Sequence, residues 1–175
     1  MEVVMKVNNM DMTSLFTPNI IDVEASGFGV QSYPIEIGVI NQFGEKFCRL
    51  VKPQKSWLHW DESAESLHGI SRELLRHKGV PITTLCHDLN DFLQQQTVYS
   101  DGWVVDQPWM IKLYSQAKVE MTFKLSPLEM ILNESQMALW HDTKEQMSNI
   151  MNVRRHRASS DAALIQSTYV QTQKR

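Results

Sequence analysis

The stretch Asn19-Ile20-Ile21-Asp22-Val23-Glu24, closed by Ala25-Ser26-Gly27, decides the fold. Its β-branched residues and the Ser26-Gly27 terminator predict a strand. Side chains alternate along a strand, so Asp22 and Glu24 share one face while Ile21 and Val23 share the other. Two carboxylates on one face need water or a counter-charge. Taken alone, the pair fits a solvated sheet face or an edge strand better than a site.

Working outward, 33–40 and 45–51 are two further strands, joined through Asn41-Gln42-Phe43-Gly44 as a hairpin-like turn. A polar, aromatic loop over 53–60 follows, then short helices at 62–67 and 71–76 on either side of His68-Gly69-Ile70. A longer helix covers 81–95, with Leu85, Leu89, Phe92 and Leu93 on one side. A strand at 97–100 precedes a helix over 106–114, and 119–123 is expected as the fifth strand. Most of 126–151 is predicted helical, with Met137, Trp140, Met147 and Met151 as its core face. A last helix over 158–170 turns Ala158, Ala162, Ile165 and Tyr169 inward. Three strands in sequence, then helices alternating with single strands, imply an α/β chain with helices packed on a mixed sheet. One domain over 18–175 follows an N-terminal extension over 1–17 that is Met- and Asn-rich and shows no clear periodicity.

A chain of 175 residues with 42% hydrophobic and 21% charged residues can bury one proper core. No apolar run approaches the about 18–20 residues that a membrane span needs. The start carries Glu2 and lacks a basic segment followed by a long apolar one, so it does not match a secretion signal. Cys48 and Cys86, in unrelated contexts, suggest reduced thiols and a cytoplasmic protein. A formal charge of −3 argues against coating long nucleic acid by charge alone. It leaves room for gripping a single strand end.

Two more acids and a histidine extend the pattern. Asp106 heads its helix, with Pro108 in the first turn, where a capping role is the plainer reading. It also lies on the stripe with Trp109, Met110 and Leu113. Asp161 falls beside the buried face of the last helix, an unusual place for a carboxylate unless something compensates it. His156, five residues earlier, sits in the preceding loop. Four carboxylates drawn into one pocket repel one another unless cations hold them, and hard divalent cations take oxygen ligands. The pattern points to metal-assisted phosphoryl chemistry, with a histidine for a proton. Other motifs fail. Gly27-Phe28-Gly29 lacks the third glycine of a dinucleotide loop at Ser32 and leads into a strand. Cys86-His87 has no partners at zinc spacing, and no G-x-S-x-G occurs.

Ile21-Asp22-Val23-Glu24-Ala25-Ser26-Gly27-Phe28, Asp106 and His156-Arg157-Ala158-Ser159-Ser160-Asp161, with Leu67-His68-Gly69-Ile70 between the first two, resemble the motifs of DEDDh 3′–5′ exonucleases. This is the family of proofreading exonuclease subunits, RNase T and oligoribonuclease, and the resemblance runs from about 19 to about 169. The second motif departs from the pattern, with Gly102 for the usual asparagine and Val105 for the usual phenylalanine. The resemblance implies an RNase H-like fold with a five-stranded mixed sheet. It also implies two Mg²⁺ ions, with Mn²⁺ as a substitute. Asp22, Glu24 and Asp161 would hold the first ion, Asp22 and Asp106 the second, and His156 would act as the base. The substrate side would be formed by Ala25, Ser26, Gly27, Phe28 and His68. The expected substrates are single-stranded or short RNA or DNA 3′ ends, cut to nucleoside 5′-monophosphates. Trp57 and Trp60 are further stacking candidates, and Arg154, Arg155 and Arg157 are phosphate-binding candidates. Several members act as homodimers, which extends the expectation to this chain. The competing expectation is a non-catalytic RNase H-like nucleic-acid-binding module.

Overall fold

The computed structural model describes residues 15–152 and 155–174. Among them, five strands form one mixed sheet: β1 (Asn19–Ala25), β2 (Pro34–Ile40), β3 (Lys46–Leu50), β4 (Thr97–Ser100) and β5 (Lys124–Pro127). Six helices surround it: α1 (Glu62–His68), α2 (Arg72–Lys78), α3 (Ile82–Leu93), α4 (Trp103–Ala117), α5 (Glu134–Met151) and α6 (Ala158–Thr172). The strand order is β3-β2-β1-β4-β5, with the first three antiparallel and β4 and β5 parallel to β1. The strand that opens the chain's pattern is thus the central one.

Register explains the layering. Ile21 pairs with Val39 and Val23 with Ile37, and all four enter the core that α3 and α4 complete with Leu85, Leu89, Met110 and Leu113. On the opposite face Ile20 pairs with Ile40, Asp22 with Gly38 and Glu24 with Glu36. That face is covered by α6, whose Ala162, Ala163, Ile165 and Tyr169 close a second, smaller core. The hairpin turn at Asn41 forms as the polar run predicts: the Asn41 side-chain oxygen accepts from the Phe43 and Glu45 amides, and Gly44 takes φ +82.

A close approach places α6. A Cβ on Gly38 would lie 2.2 Å from the backbone of Ala158 and Ser159. Only glycine lets the start of α6 rest on β2 opposite Asp22. Further contacts tie α6 to the rest of the fold. The Gln166 amide donates to the carbonyls of Pro18 and Asn41, and Phe16 stands edge-on to Tyr169. Phe16, within the expected extension, therefore lies against α6, and 1–14 lie outside the described residues.

The structure corrects four expectations. The fifth strand is Lys124–Pro127, not 119–123, because its ladder to β4 runs from Thr97–Lys124 to Ser100–Pro127. The alternation at 119–122 instead belongs to the return from α4, where the Val119 amide bonds to the Tyr114 carbonyl. The helix expected over most of 126–151 begins only at Glu134, after a 3₁₀ turn at Leu128–Ile131. Asn133 and Gln136 form a capping box there, a signal present in the sequence and outweighed by the Met and Trp periodicity.

The supposed core stripe of α5 lies on the edge of that core. Met137 is exposed and Trp140 and Met151 only flank the second core, while Gln136 and Thr143 are the buried residues. The helix packs on α6, and Gln136 reaches the Thr172 hydroxyl at 3.1 Å. Finally, α4 starts at Trp103, so Asp106 is no cap. The Val105 and Asp106 amides both bond to the Gly102 carbonyl, which moves Asp106 to the fourth helical residue.

Candidate functional site

Asp22 and Glu24 stand on the α6-facing side of β1 for the reason given by strand alternation. The first turn of α6 brings Asp161 to them, and one ligand atom from each of the three carboxylates lies within 4.8 Å of the others. The start of α4 brings Asp106. The Ser100 hydroxyl donates to Asp106 Oδ2 at 2.5 Å and itself accepts from the Gly102 amide at 2.9 Å. Ser100 thus orients this carboxylate where the sequence departs from the exonuclease motif. A Cβ added at Gly102 would meet nothing nearer than Asp106 Oδ2 at 3.5 Å, an ordinary contact.

A cavity of about 280 Å³ opens over these groups, lined by Asp22, Glu24, Asp106 and His156 on its polar side. Asp161 holds the loop that carries His156. Its Oδ2 accepts the His156 amide at 2.6 Å and its Oδ1 accepts from Arg155 Nε at 2.7 Å. His156 itself takes φ +61, a left-handed conformation uncommon for residues with a side chain.

The acids perturb one another. Burial raises Asp22 well above the ordinary aspartate range, and Asp106, Glu24 and Asp161 add repulsion in the same direction. Burial, then Asp161 and Glu36, push Glu24 to about 7, against the opposing pull of Arg157 and Arg155. Burial also pushes Asp106 to about 7, with Asp101 and Glu24 adding to it and the Ser100 hydrogen bond opposing. Burial and mutual repulsion thus oppose ionisation of Asp22, Glu24 and Asp106, and a cation among them would relieve it. Asp22, Glu24 and Asp161 form a donor set that could hold a metal ion, and Asp106 lines the same cavity.

The apolar side of the cavity comes from Phe28, Leu67, Val105 and Trp109. Phe28 is 75% exposed and is therefore not a core residue. Its ring centre lies 6.2 Å from that of Trp109. The loop that presents it is held from below: Trp109 Nε1 donates to Ser32 Oγ at 2.8 Å, and Lys112 Nζ donates to the carbonyls of Val30 and Ser32. Gly27, at φ +134, passes so near the next loop that a Cβ would come within 2.7 Å of Asp61 Cβ. Ser26 bonds through its hydroxyl to His59 Nδ1 at 3.0 Å and through its carbonyl to the Asp61 amide. Ala25, Gly27 and His68 line the same cavity, whereas the Ser26 side chain turns to His59.

His68 is buried. Its Nδ1 accepts from the Ile70 amide at 3.0 Å, so the proton sits on Nε2, which finds no acceptor among the described residues. Burial lowers the pKa of this imidazole and keeps it neutral. Trp57 stacks on Tyr33 in the core, and Trp60 donates to Glu65, so neither is an open platform. Arg157 and Arg155 are engaged with Glu36 and Asp161, and Arg154 lies outside the described residues.

Sequence reasoning missed Ser100, Trp109's part in the Phe28 loop, and Glu36. For Glu36 a signal existed: a lone carboxylate within Ile35-Glu36-Ile37-Gly38-Val39 must be paired if that run is buried.

A five-stranded mixed sheet of this order with helices packed on it is an α/β, RNase H-like fold. Solved structures of Escherichia coli exonuclease I share it. The complex with a dT13 oligonucleotide superposes with a TM-score of 0.71 at 13% identity, over 91% of this chain and 41% of that one. A structure of exonuclease I described for its processivity gives 0.68 at 14%, over 90% and 41%. The zinc-bound form of an exonuclease I–single-stranded DNA complex gives 0.66 at 13%, over 91% and 41%. The chain spans about two fifths of the length of these structures. No protein-family model and no curated protein sequence matches it. No helix among the described residues is long and apolar enough to cross a membrane.

Proposed function

We propose that this chain is a metal-dependent 3′–5′ exonuclease acting on single-stranded or short nucleic acid. The observation that carries the reading is the convergence of Asp22, Glu24 and Asp161, with Asp106 and His156 on the same cavity. The fold-level likeness of the chain to an exonuclease I structure containing an oligonucleotide supports it.

In this reading two Mg²⁺ ions, or Mn²⁺ in their place, would supply charge to offset the attacking and leaving oxygens. Asp22, Glu24 and Asp161 would hold one, and Asp22 with Asp106 the other. His156 takes the proton of the attacking water, a role suited to an imidazole on a loop at the cavity edge. The water oxygen bonds to the terminal phosphorus as its bond to the preceding 3′ oxygen breaks; that oxygen takes a proton from solvent, which leaves a new 3′-hydroxyl and a nucleoside 5′-monophosphate. Phe28 stacks on the terminal base, with Ala25, Ser26 and Gly27 beside the sugar. The His68 Nε2 proton is a donor to that nucleotide.

The test is release of mononucleotides from 5′-labelled RNA and DNA strands with Mg²⁺. Wild type is expected to release them one at a time, and Asp22→Ala and His156→Ala to lose at least about a hundredfold in rate. Equal release by both variants overturns the site. Strand binding without release by wild type instead favours the non-catalytic module.

A further inference from the structure

Glu36 lies in the middle of β2, 1% exposed, with Ile35 and Ile37 on either side in the core. A carboxylate so placed must have its lone pairs satisfied. Arg157 Nε donates to both oxygens at 3.2 and 3.0 Å, and Arg157 Nη2 donates to Oε1 at 2.5 Å. The Ala158 amide donates to Oε2 at 3.0 Å. That amide opens α6, whose N-cap residue, Arg157, offers no side-chain cap bond. A residue of β2 therefore supplies the cap, with its negative charge at the positive end of the helix.

We propose that Glu36 is a positioning residue of the site, fixing His156 and Asp161 against Asp22 and Glu24 through Arg157 and the Ala158 amide. The chain of contacts is short. His156 directly precedes Arg157 and holds a left-handed backbone, which surrounding structure must maintain. Its amide is tied to Asp161 on one side, and its neighbour is forked onto Glu36 on the other. Asp161 in turn begins its helical bonding at the Arg157 carbonyl, 3.0 Å from its amide. Glu36 also pairs across the strands with Glu24. One buried carboxylate thus references the α6 side of the site to the β1 side. Outer partners of this kind commonly matter about 10–100-fold to metal affinity or activity.

The catalytic readout of this proposal rests on the nuclease reading, and the other two do not. Three variants are made in the full chain. Glu36→Gln keeps the shape and an acceptor for Ala158. Arg157→Lys keeps the charge and loses the fork, at a partly exposed position. Glu36→Gln/Arg157→Gln restores the charge balance without the fork.

Mn²⁺ affinity, amide hydrogen exchange over 156–162, and kcat and KM on a single strand are measured for each. All three variants are expected to bind Mn²⁺ about 10–100-fold more weakly and to exchange faster over 156–162, with kcat falling and KM little changed. Wild-type Mn²⁺ affinity and exchange in Glu36→Gln, or full recovery in the double variant, overturn the proposal and leave Glu36 as a mere charge. Should wild type release no mononucleotide, the nuclease reading falls while Mn²⁺ affinity and exchange still decide the role of Glu36.

Discussion

Glu24 and Asp106 bind a proton more tightly in the folded chain than in the unfolded one, since both are raised to about 7. Below about pH 4 both forms are protonated and no stability difference arises. As pH rises toward 7 the unfolded carboxylates ionise freely and the buried ones cannot, so stability falls across that window. Asp22, raised in the same sense, adds to the loss. With a chelator present, the melting temperature is expected to drop between about pH 4.5 and 7.5. Adding Mg²⁺ or Mn²⁺ at a hundred times its dissociation constant contributes about 2.7 kcal/mol. That is a rise of several degrees at pH 7.5, and a smaller one at pH 5, where protons compete. Scanning calorimetry across pH, with and without the ion, decides it. Stability rising from pH 4.5 to 7.5 under chelation refutes the electrostatic account.

Phe28 offers a separate measurement. Its exposed ring stands at the cavity mouth, and stacking is worth about 1–3 kcal/mol per base. Phe28→Ala is expected to weaken binding of a short single strand in Ca²⁺ by about 5–150-fold without lowering the melting temperature. Unchanged binding removes Phe28 from the substrate site.

Between elements, the close contact of β2 and α6 matters most. Gly38→Ala pushes a methyl into the Ala158–Ser159 backbone, which has no flexible end to yield. Overpacking of this kind costs about 1–3 kcal/mol. The displaced helix start also carries Asp161, so Mn²⁺ affinity is expected to fall along with the melting temperature. Gly102→Ala is the contrast, since its added methyl meets only ordinary contact and both quantities should stay close to wild type. Equal effects of the two would show that α6 does not depend on the approach at Gly38.

The elements themselves were unevenly legible. β1, the Asn41–Gly44 turn and β2 stand where alternation and turn chemistry place them. The register then puts Asp22 and Glu24 on one face as the period of two requires. β5 was misplaced because Val119–Phe123 alternates as a strand does, and only pairing with β4 says which four residues join the sheet. The start of α5 was missed although Asn133 and Gln136 announce it. Periodic Met and Trp residues beyond a true cap mislead when a helix is packed along a narrow edge.

For the whole molecule, charge and cavity size bear on the substrate. Under the proposed function, a net charge of −3 and a cavity of about 280 Å³ would suit one strand end better than a duplex. In a length and strandedness series, rates are expected to be highest on single-stranded or frayed 3′ ends and not to grow with duplex length. A steady rise with duplex length runs against the proposed use of the cavity.

What the sequence determined by itself were properties that repeat over a few residues: strand faces, helix stripes, the hairpin, and the reading of Asp22, Glu24, Asp106, His156 and Asp161 as one candidate set. Periodicities of 2 and 3.6 are local, so they survive without any knowledge of the fold. Convergence is not local. Whether the acids of β1 meet those of α4 and α6 depends on strand order, on Gly38 admitting α6, and on Glu36 capping it from a neighbouring strand. Those are contacts between residues far apart in the chain, set by packing density and by the need of a buried charge for partners. Tertiary structure alone decides them.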